Sequence, residues 1–141
     1  MATRTSSARW QGTLKEGSGT LALGSGTFEA PYSFSTRFED ADGTNPEELV
    51  AAALAACYSM ALSNALSQAG FPPAAVDTNA TAHFGKTDSG FAITRIDLVT
   101  TGNVPNIDES DFLKHAEATK STCPISKALA AVEITLDATL V

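Results

Sequence analysis

The sequence predicts an α+β fold in a single domain spanning residues 1–141, and three observations carry that prediction. The first forty residues alternate between polar and apolar positions and contain glycine-rich breaks, as short antiparallel strands do. A long alanine-rich helix follows. The remainder is typical of strands, then helices, then a strand, which is not the βαβ alternation of a parallel sheet. With 43% hydrophobic and 18% charged residues, the chain has the composition of an ordinary globular protein.

The N-terminal part is predicted to form three short strands. Period-2 patterning places them at residues 8–14, 19–23 and 31–38, separated by the breaks GSG and EAP. These strands are short and follow one another closely. They therefore favour antiparallel pairing.

The segment TNPEELVAAALAACYSM begins the long helix. Asn45 is a good N-cap, Pro46 suits the first helical position, and Glu47 and Glu48 lie where the helix dipole favours negative charge. The pattern ends just before Gly70. This helix is apolar nearly all the way round, so it must be covered on every side. A second copy of the same helix from a partner subunit could supply part of that cover, which suggests an oligomer.

Downstream, the pattern predicts two long strands at 76–86 and 90–101, joined by the turn KTDSG. A second helix is predicted at 108–122. A short helix opened by Pro124 and a closing strand at 132–141 complete the chain. No internal repeat or long linker divides it.

The charge balance restricts the possible partners. The formal net charge is −7 and no Lys/Arg cluster interrupts it, which argues against binding nucleic acid or an anionic membrane surface. The N-terminal residues lack the apolar region of a signal peptide. The longest apolar run, residues 49–62, is predicted to be too short to span a bilayer. These features together predict a cytoplasmic location.

The two cysteines, Cys57 and Cys123, do not make a disulfide framework of the kind found in small secreted proteins. The chain has two histidines, His83 and His115, and no Cys or His pair has the short spacing of a metal site. No metal or other cofactor is therefore expected. Two possibilities remain open. The thiols carry out catalytic or redox chemistry, or they take part in no chemistry.

Judged from neighbouring residues alone, Cys123 is the better-activated thiol and Cys57 the less reactive one. Cys123 directly precedes Pro124 at a predicted helix start, where free N–H groups stabilise a thiolate, although it could also be no more than a cap. Cys57 lies inside an apolar helix and looks like an inert core residue. Arg37 is a candidate cation for a thiolate or a carboxylate, or else a solvated arginine at a strand end.

The block PYSFSTRFED…GTNPEELVAAALAACYSMALS, followed by STCPISKAL and VEITLDATL, resembles the OsmC/Ohr family of thiol peroxidases, and the OsmC branch more closely than the Ohr branch. The resemblance extends from about Trp10 to the C-terminus. It implies an intertwined homodimer with antiparallel sheets wrapped around central helices. It also implies that Cys57 is the peroxidatic thiol, Cys123 the resolving thiol, and Arg37 with Glu47 the activating pair.

By this resemblance, Cys57 would reduce a hydroperoxide and become a sulfenic acid. An apolar lining of Leu, Ala and Met side chains together with Phe38 would suit an organic hydroperoxide better than hydrogen peroxide. Cys123 would then form a disulfide with Cys57, and an external dithiol, for example of the lipoyl type, would reduce it. Two alternatives are open. One is a thiol acyl-transferase or hydrolase that uses His83 or His115 as base. The other is a non-catalytic dimeric redox sensor or small-ligand-binding protein.

Overall fold

A computed structural model describes residues 1–141 and confirms the predicted α+β class. The chain forms two three-stranded sheets and four helices. The elements in chain order are β1 (Ser6–Gln11), β2 (Ser18–Leu23), β3 (Glu29–Tyr32), α1 (Phe34–Phe38), α2 (Pro46–Gln68), β4 (Ala75–Thr87), β5 (Gly90–Asn103), α3 (Glu109–Thr122), α4 (Pro124–Ala128) and β6 (Glu133–Leu140). They fall into two compact units, Met1–Leu49 and Val50–Val141.

The first unit contains the sheet β1-β2-β3, in which both pairings are antiparallel as predicted. The predicted strand at 31–38 is wrong in its second half, because residues 34–38 form the helix α1. A capping box explains the difference. The Ser33 hydroxyl accepts a hydrogen bond from the Thr36 backbone N–H at 3.2 Å, and the Thr36 hydroxyl accepts one from the Ser33 N–H at 2.9 Å. These reciprocal bonds begin a helix immediately after β3.

Helix α2 begins and ends where the sequence predicts. The Asn45 side-chain oxygen accepts a hydrogen bond from the Glu48 N–H at 2.8 Å, which caps the first turn. Gly70, with φ of +92°, follows the end of the helix. One face of α2 is fully buried and carries Leu54, Tyr58, Leu62 and Leu66 at every fourth position. The helix therefore contributes one continuous stripe to the core of the second unit.

Helix α2 is also the one helix long and apolar enough, by length and composition, to cross a membrane. The prediction that its apolar run is too short for a span is therefore wrong, since the helix has 23 residues rather than the 14 of residues 49–62. The core helix of a globular protein satisfies the same criterion. The buried leucine stripe is what such a core helix shows.

The second unit contains the sheet β4-β5-β6. Strands β4 and β5 form the predicted antiparallel hairpin, from Ala75↔Asn103 to Thr87↔Gly90. Gly90 has a φ of +113°, which the tight turn requires. The predicted antiparallel arrangement is wrong for β6, which runs parallel to β5. The physical reason is the connection, because α3 and α4 lie between β5 and β6 and form a crossover long enough for parallel pairing.

The core of the second unit lies between α2, the sheet and α3. Its fully buried side chains include Tyr58, Ile96, Phe112, Ala116 and Cys123. The partly buried Cys57 packs against the same cluster. Both cysteines thus belong to one apolar region of the second unit.

Candidate active site

The two cysteines are neighbours in the core of the second unit. Cys57 is in the middle of α2, and Cys123 is the residue between α3 and α4. Cys123 is close enough to help raise the pKa of the Cys57 thiol, and both residues are free thiols. Cys57 is partly exposed whereas Cys123 is fully buried. The two thiols therefore differ in exposure, since Cys57 is partly open to solvent and Cys123 is enclosed in the core.

Burial raises the pKa of the Cys57 thiol above its ordinary value. A hydrogen bond from the Ile125 backbone opposes this effect, and the neighbouring Cys123 adds to it. Within one chain, the surroundings of Cys57 thus favour the neutral thiol over the thiolate. A working Cys57 nucleophile needs a cation in addition to these groups.

Cys123 caps the short helix α4, as predicted. Its sulfur accepts a hydrogen bond from the Ser126 backbone N–H at 3.3 Å. The Ser126 hydroxyl oxygen also lies 2.9 Å from the same sulfur. Ser126 was not predicted as a site residue. The sequence signal that could have identified it is its position three residues after a capping cysteine, because the third helical residue often pairs with the cap.

Tyr58 joins the helix that carries Cys57 to the helix that leads to Cys123. Its hydroxyl donates a hydrogen bond of 2.8 Å to the Ala116 carbonyl on α3. Burial raises the pKa of Tyr58, with smaller contributions from Glu117 and Cys123. The phenol therefore remains protonated and continues to donate. This bond fixes α2 against α3 next to the two thiols.

Arg37 and Glu47 form the predicted ion pair within the first unit. Arg37 Nη2 lies 2.7 Å from Glu47 Oε1, and Arg37 Nε lies 3.1 Å and 3.2 Å from the two carboxylate oxygens. The prediction that Arg37 ends a strand is wrong, because it lies on α1 after the Ser33 cap. The Glu47 residue is 8% exposed. This arrangement fixes the plane of the guanidinium.

A cavity of about 250 Å³ opens beside Arg37 in the first unit. Its lining is mainly aromatic and apolar, comprising Trp10, Leu14, Tyr32, Ser33, Phe34, Arg37, Phe38 and Pro46. The rings of Phe34 and Phe38 lie 4.7 Å apart, and the Arg37 guanidinium lies 5.5 Å from the Phe38 ring centre. Phe38 was predicted near the site. Trp10 and Phe34 were not, because their approach depends on the unpredicted helix α1.

The histidines do not serve the cysteines. His83 Nε2 lies 2.6 Å from Asp97 Oδ2 on the sheet, and Arg95 pairs with the same carboxylate. Hydrogen bonds from Thr135, His83 and Arg95 hold the pKa of Asp97 far below its usual value. His115 lies on α3. Neither histidine hydrogen-bonds a thiol in this chain, so the structure gives the hydrolase alternative no support.

Two free thiols in one apolar cluster of a small α+β chain are the arrangement that two-cysteine redox proteins have. The family model for OsmC-like proteins matches residues 39–137. The chain is also 51% identical to Peroxiredoxin OsmC of Escherichia coli strain K12 over 131 residues, which is 92% of this chain and 91% of that protein. The chain belongs to the OsmC family.

Two further comparisons agree with this assignment. Organic hydroperoxide resistance protein-like 2 of Staphylococcus epidermidis is 36% identical over 99 residues, or 68% of each chain. The crystal structure of the organic hydroperoxide resistance protein OhrB of Bacillus subtilis shares the fold with a TM-score of 0.76, at 24% identity over 95% of this chain and 97% of that one. The higher identity to the OsmC relative confirms the predicted branch.

Proposed function

We propose that this OsmC-family chain is a thiol-dependent peroxidase that reduces organic hydroperoxides better than hydrogen peroxide. The proximity of the free thiols Cys57 and Cys123 in one apolar cluster is the observation that carries the proposal. A partly exposed thiol backed by a buried one is the arrangement that a two-step oxidation needs. Free thiols of this kind fit the reducing conditions of the cytoplasm.

In the first step, the Cys57 thiolate attacks one oxygen of the hydroperoxide, and the O–O bond breaks. The sulfur becomes a sulfenic acid, and the departing alkoxide takes a proton to leave as an alcohol. In the second step, Cys123 attacks the oxidised sulfur. The S–O bond breaks, water leaves, and a Cys57–Cys123 disulfide remains. An external dithiol, for example a lipoyl-type one, reduces this disulfide and closes the cycle.

Arg37 supplies the cation that Cys57 lacks. Its positive charge stabilises the thiolate and the charge that develops on the departing oxygen, while Glu47 fixes the guanidinium in place. The apolar cavity beside Arg37 suits a peroxide with an alkyl or aryl group. Hydrogen peroxide gains nothing from such a lining, which is the physical basis of the proposed preference.

The protein acts as a homodimer in this proposal. Opposite its buried stripe, α2 exposes Ala52, Ala56 and Met60 at every fourth position. This small apolar face is suited to close packing against a second copy of the helix. Such packing would cover the face that one chain leaves open.

The proposed dimer also brings together site residues that belong to different chains. Glu47 and Cys57 are ten positions apart on α2, which places them about 15 Å apart along the axis and about 80° apart around it. An arginine bound to Glu47 through Nε and Nη2 cannot also reach that far along the helix. Two antiparallel copies of α2 would bring the first turn of one towards the middle of the other. Each site would then join Cys57 of one chain to the Arg37–Glu47 pair of its partner.

Steady-state turnover tests the proposed function. The purified protein is mixed with an excess of dihydrolipoamide and either an alkyl hydroperoxide or hydrogen peroxide, and peroxide consumption is followed. We expect many equivalents per chain and a higher kcat/KM for the alkyl hydroperoxide. Consumption that stops after one equivalent, despite excess dithiol, would instead establish the non-catalytic sensor alternative.

We expect Arg37→Lys to lower kcat/KM by about 100-fold, nearly as much as Arg37→Ala. Lysine keeps the charge but cannot hold thiolate and carboxylate in one planar fork. Since burial already raises the pKa of Cys57, losing the guanidinium should move its alkylation rate profile to still higher pH. Arg9→Lys, at an exposed position on β1, is the matched control. Near-normal turnover of Arg37→Lys would show that charge alone is sufficient.

A further inference from the structure

The sulfur of Cys123 lies in a closed environment. Cys123 is 0% exposed and Ser126 is 5% exposed, so bulk water does not solvate either side chain. The sulfur contacts the Ser126 N–H at 3.3 Å and the Ser126 hydroxyl at 2.9 Å. A thiolate buried without donors would be strongly disfavoured, because burial penalises the charged form. Ser126 thus contacts this sulfur through two polar groups, its backbone N–H and its hydroxyl.

The Ser126 hydroxyl is not needed to cap the helix. The backbone N–H of Ser126 already gives the capping bond to Cys123, and alanine at this position would preserve it. The hydroxyl makes its hydrogen bond to the Cys123 sulfur and to no other group of the chain. A buried hydroxyl is costly unless it is satisfied, and a sulfur is a weak partner unless it is ionised. The hydroxyl is therefore placed to pair with the Cys123 sulfur as thiol or as thiolate, because it can both accept and donate.

We propose that the Ser126 hydroxyl is a catalytic group of the disulfide-forming step, an inference that rests on the proposed function above. In the resting protein the Cys123 S–H donates to Ser126 Oγ. When Cys123 loses its proton, the hydroxyl rotates and donates to the thiolate. The thiolate then attacks the Cys57 sulfenic sulfur, the S–S bond forms, and the S–O bond breaks. The proton lost by Cys123 and the departing hydroxide together make the water released.

The proposal separates the two oxidation steps. Ser126 touches Cys123 and takes no part in the attack of Cys57 on the peroxide. Removing its hydroxyl should therefore slow disulfide formation and leave the first step unchanged. A sulfenic acid that persists longer is open to a second peroxide, which oxidises it irreversibly to sulfinic acid. Ser126 would thereby protect Cys57 from overoxidation.

The test is a rapid-mixing experiment on reduced dimeric protein with one equivalent of an alkyl hydroperoxide, quenched at intervals and analysed by mass spectrometry. The added oxygen of the sulfenic acid and the loss of two hydrogens in the disulfide give the rates of both steps. We expect Ser126→Ala to slow the second step by about 10- to 100-fold and to move its pH profile upwards. Ser126→Thr, which retains a hydroxyl, should recover most of the rate.

Ser121→Ala is the matched control, because its exposed hydroxyl donates to the Ala118 carbonyl of its own helix, near Cys123 in sequence. A wild-type rate and pH profile for disulfide formation in Ser126→Ala would overturn the proposal. Equal slowing of both steps would also overturn it, since that outcome assigns Ser126 to general structural support. The wild-type protein tests the proposed function separately, because its failure to form any disulfide would contradict the peroxidase mechanism itself.

Discussion

Cys57→Ser is expected to reduce peroxidase turnover to the background rate, whereas Cys123→Ser still consumes about one equivalent of hydroperoxide per chain. Cys57 is the partly exposed thiol, so a peroxide reaches it first. Cys123 is fully buried, so a substrate in solvent does not reach it directly. Without Cys123, the first equivalent should leave Cys57 as a sulfenic acid, and only a second equivalent would oxidise it further to sulfinic acid. Turnover assays with a dithiol, and single-turnover peroxide titration, measure the two results.

The contrary outcome is well defined. If Cys123→Ser lost the first oxidation step and Cys57→Ser kept it, the helix-capping thiol would be the nucleophile and the assigned roles would be reversed. Ser59→Ala is a suitable control, because its hydroxyl lies on the same helix and bonds Thr78 instead of a thiol. Its peroxide titration should match that of the wild type.

A heterodimer of a Cys57→Ser chain with a Glu47→Ala chain is expected to regain about half of the wild-type activity per dimer, although both parent homodimers are nearly inactive. If each site joins Cys57 of one chain to Glu47 of its partner, this heterodimer contains one site with both residues intact. The physical reason is the separation of about 15 Å between the two positions along α2. Differently tagged chains, co-expressed and purified through both tags, provide the sample.

The mirror heterodimer makes this test decisive. A wild-type chain paired with a Cys57→Ser, Glu47→Ala double variant has no complete site if sites are shared, and one complete site if each chain builds its own. The two models therefore predict opposite activities for the two heterodimers. Activity in the mirror heterodimer, with none in the first, would contradict the shared site. A wild-type chain paired with a Cys57→Ser chain calibrates the half-active level.

Features caused by residues adjacent in the chain were predicted from the sequence, whereas features that depend on tertiary packing were not. The start of α2 was predictable because its cap and its first-turn residues are adjacent in the chain. Helix α1 was missed because its five residues include aromatic and β-branched types that suit strands equally well. Its only local signal is the Ser33–Thr36 box. The parallel pairing of β6 depends on how α3 and α4 pack, which no local pattern encodes.

The candidate site shows the same difference between what adjacent residues predict and what tertiary packing decides. Judged from neighbouring residues, Cys123 looked activated and Cys57 looked inert, and only the family resemblance paired them. Their proximity depends on the packing of α2 against α3, which the Tyr58 hydrogen bond to Ala116 helps to fix. Ser126 was overlooked because a serine inside a short helix has no distinctive pattern until the sulfur beside it is seen.

Peptide mapping of the oxidised protein tests the central claim most directly, namely that Cys57 and Cys123 form one redox pair. The reduced protein is treated with one equivalent of an alkyl hydroperoxide, blocked with an alkylating reagent, digested without reductant and analysed by mass spectrometry. The two thiols are neighbours in the core of one chain, which favours a disulfide within that chain. The account predicts a Cys57–Cys123 cross-linked peptide, and a chain that runs as a monomer on a non-reducing denaturing gel. A chief cross-link between two chains, or two thiols that both remain free for alkylation, would contradict it.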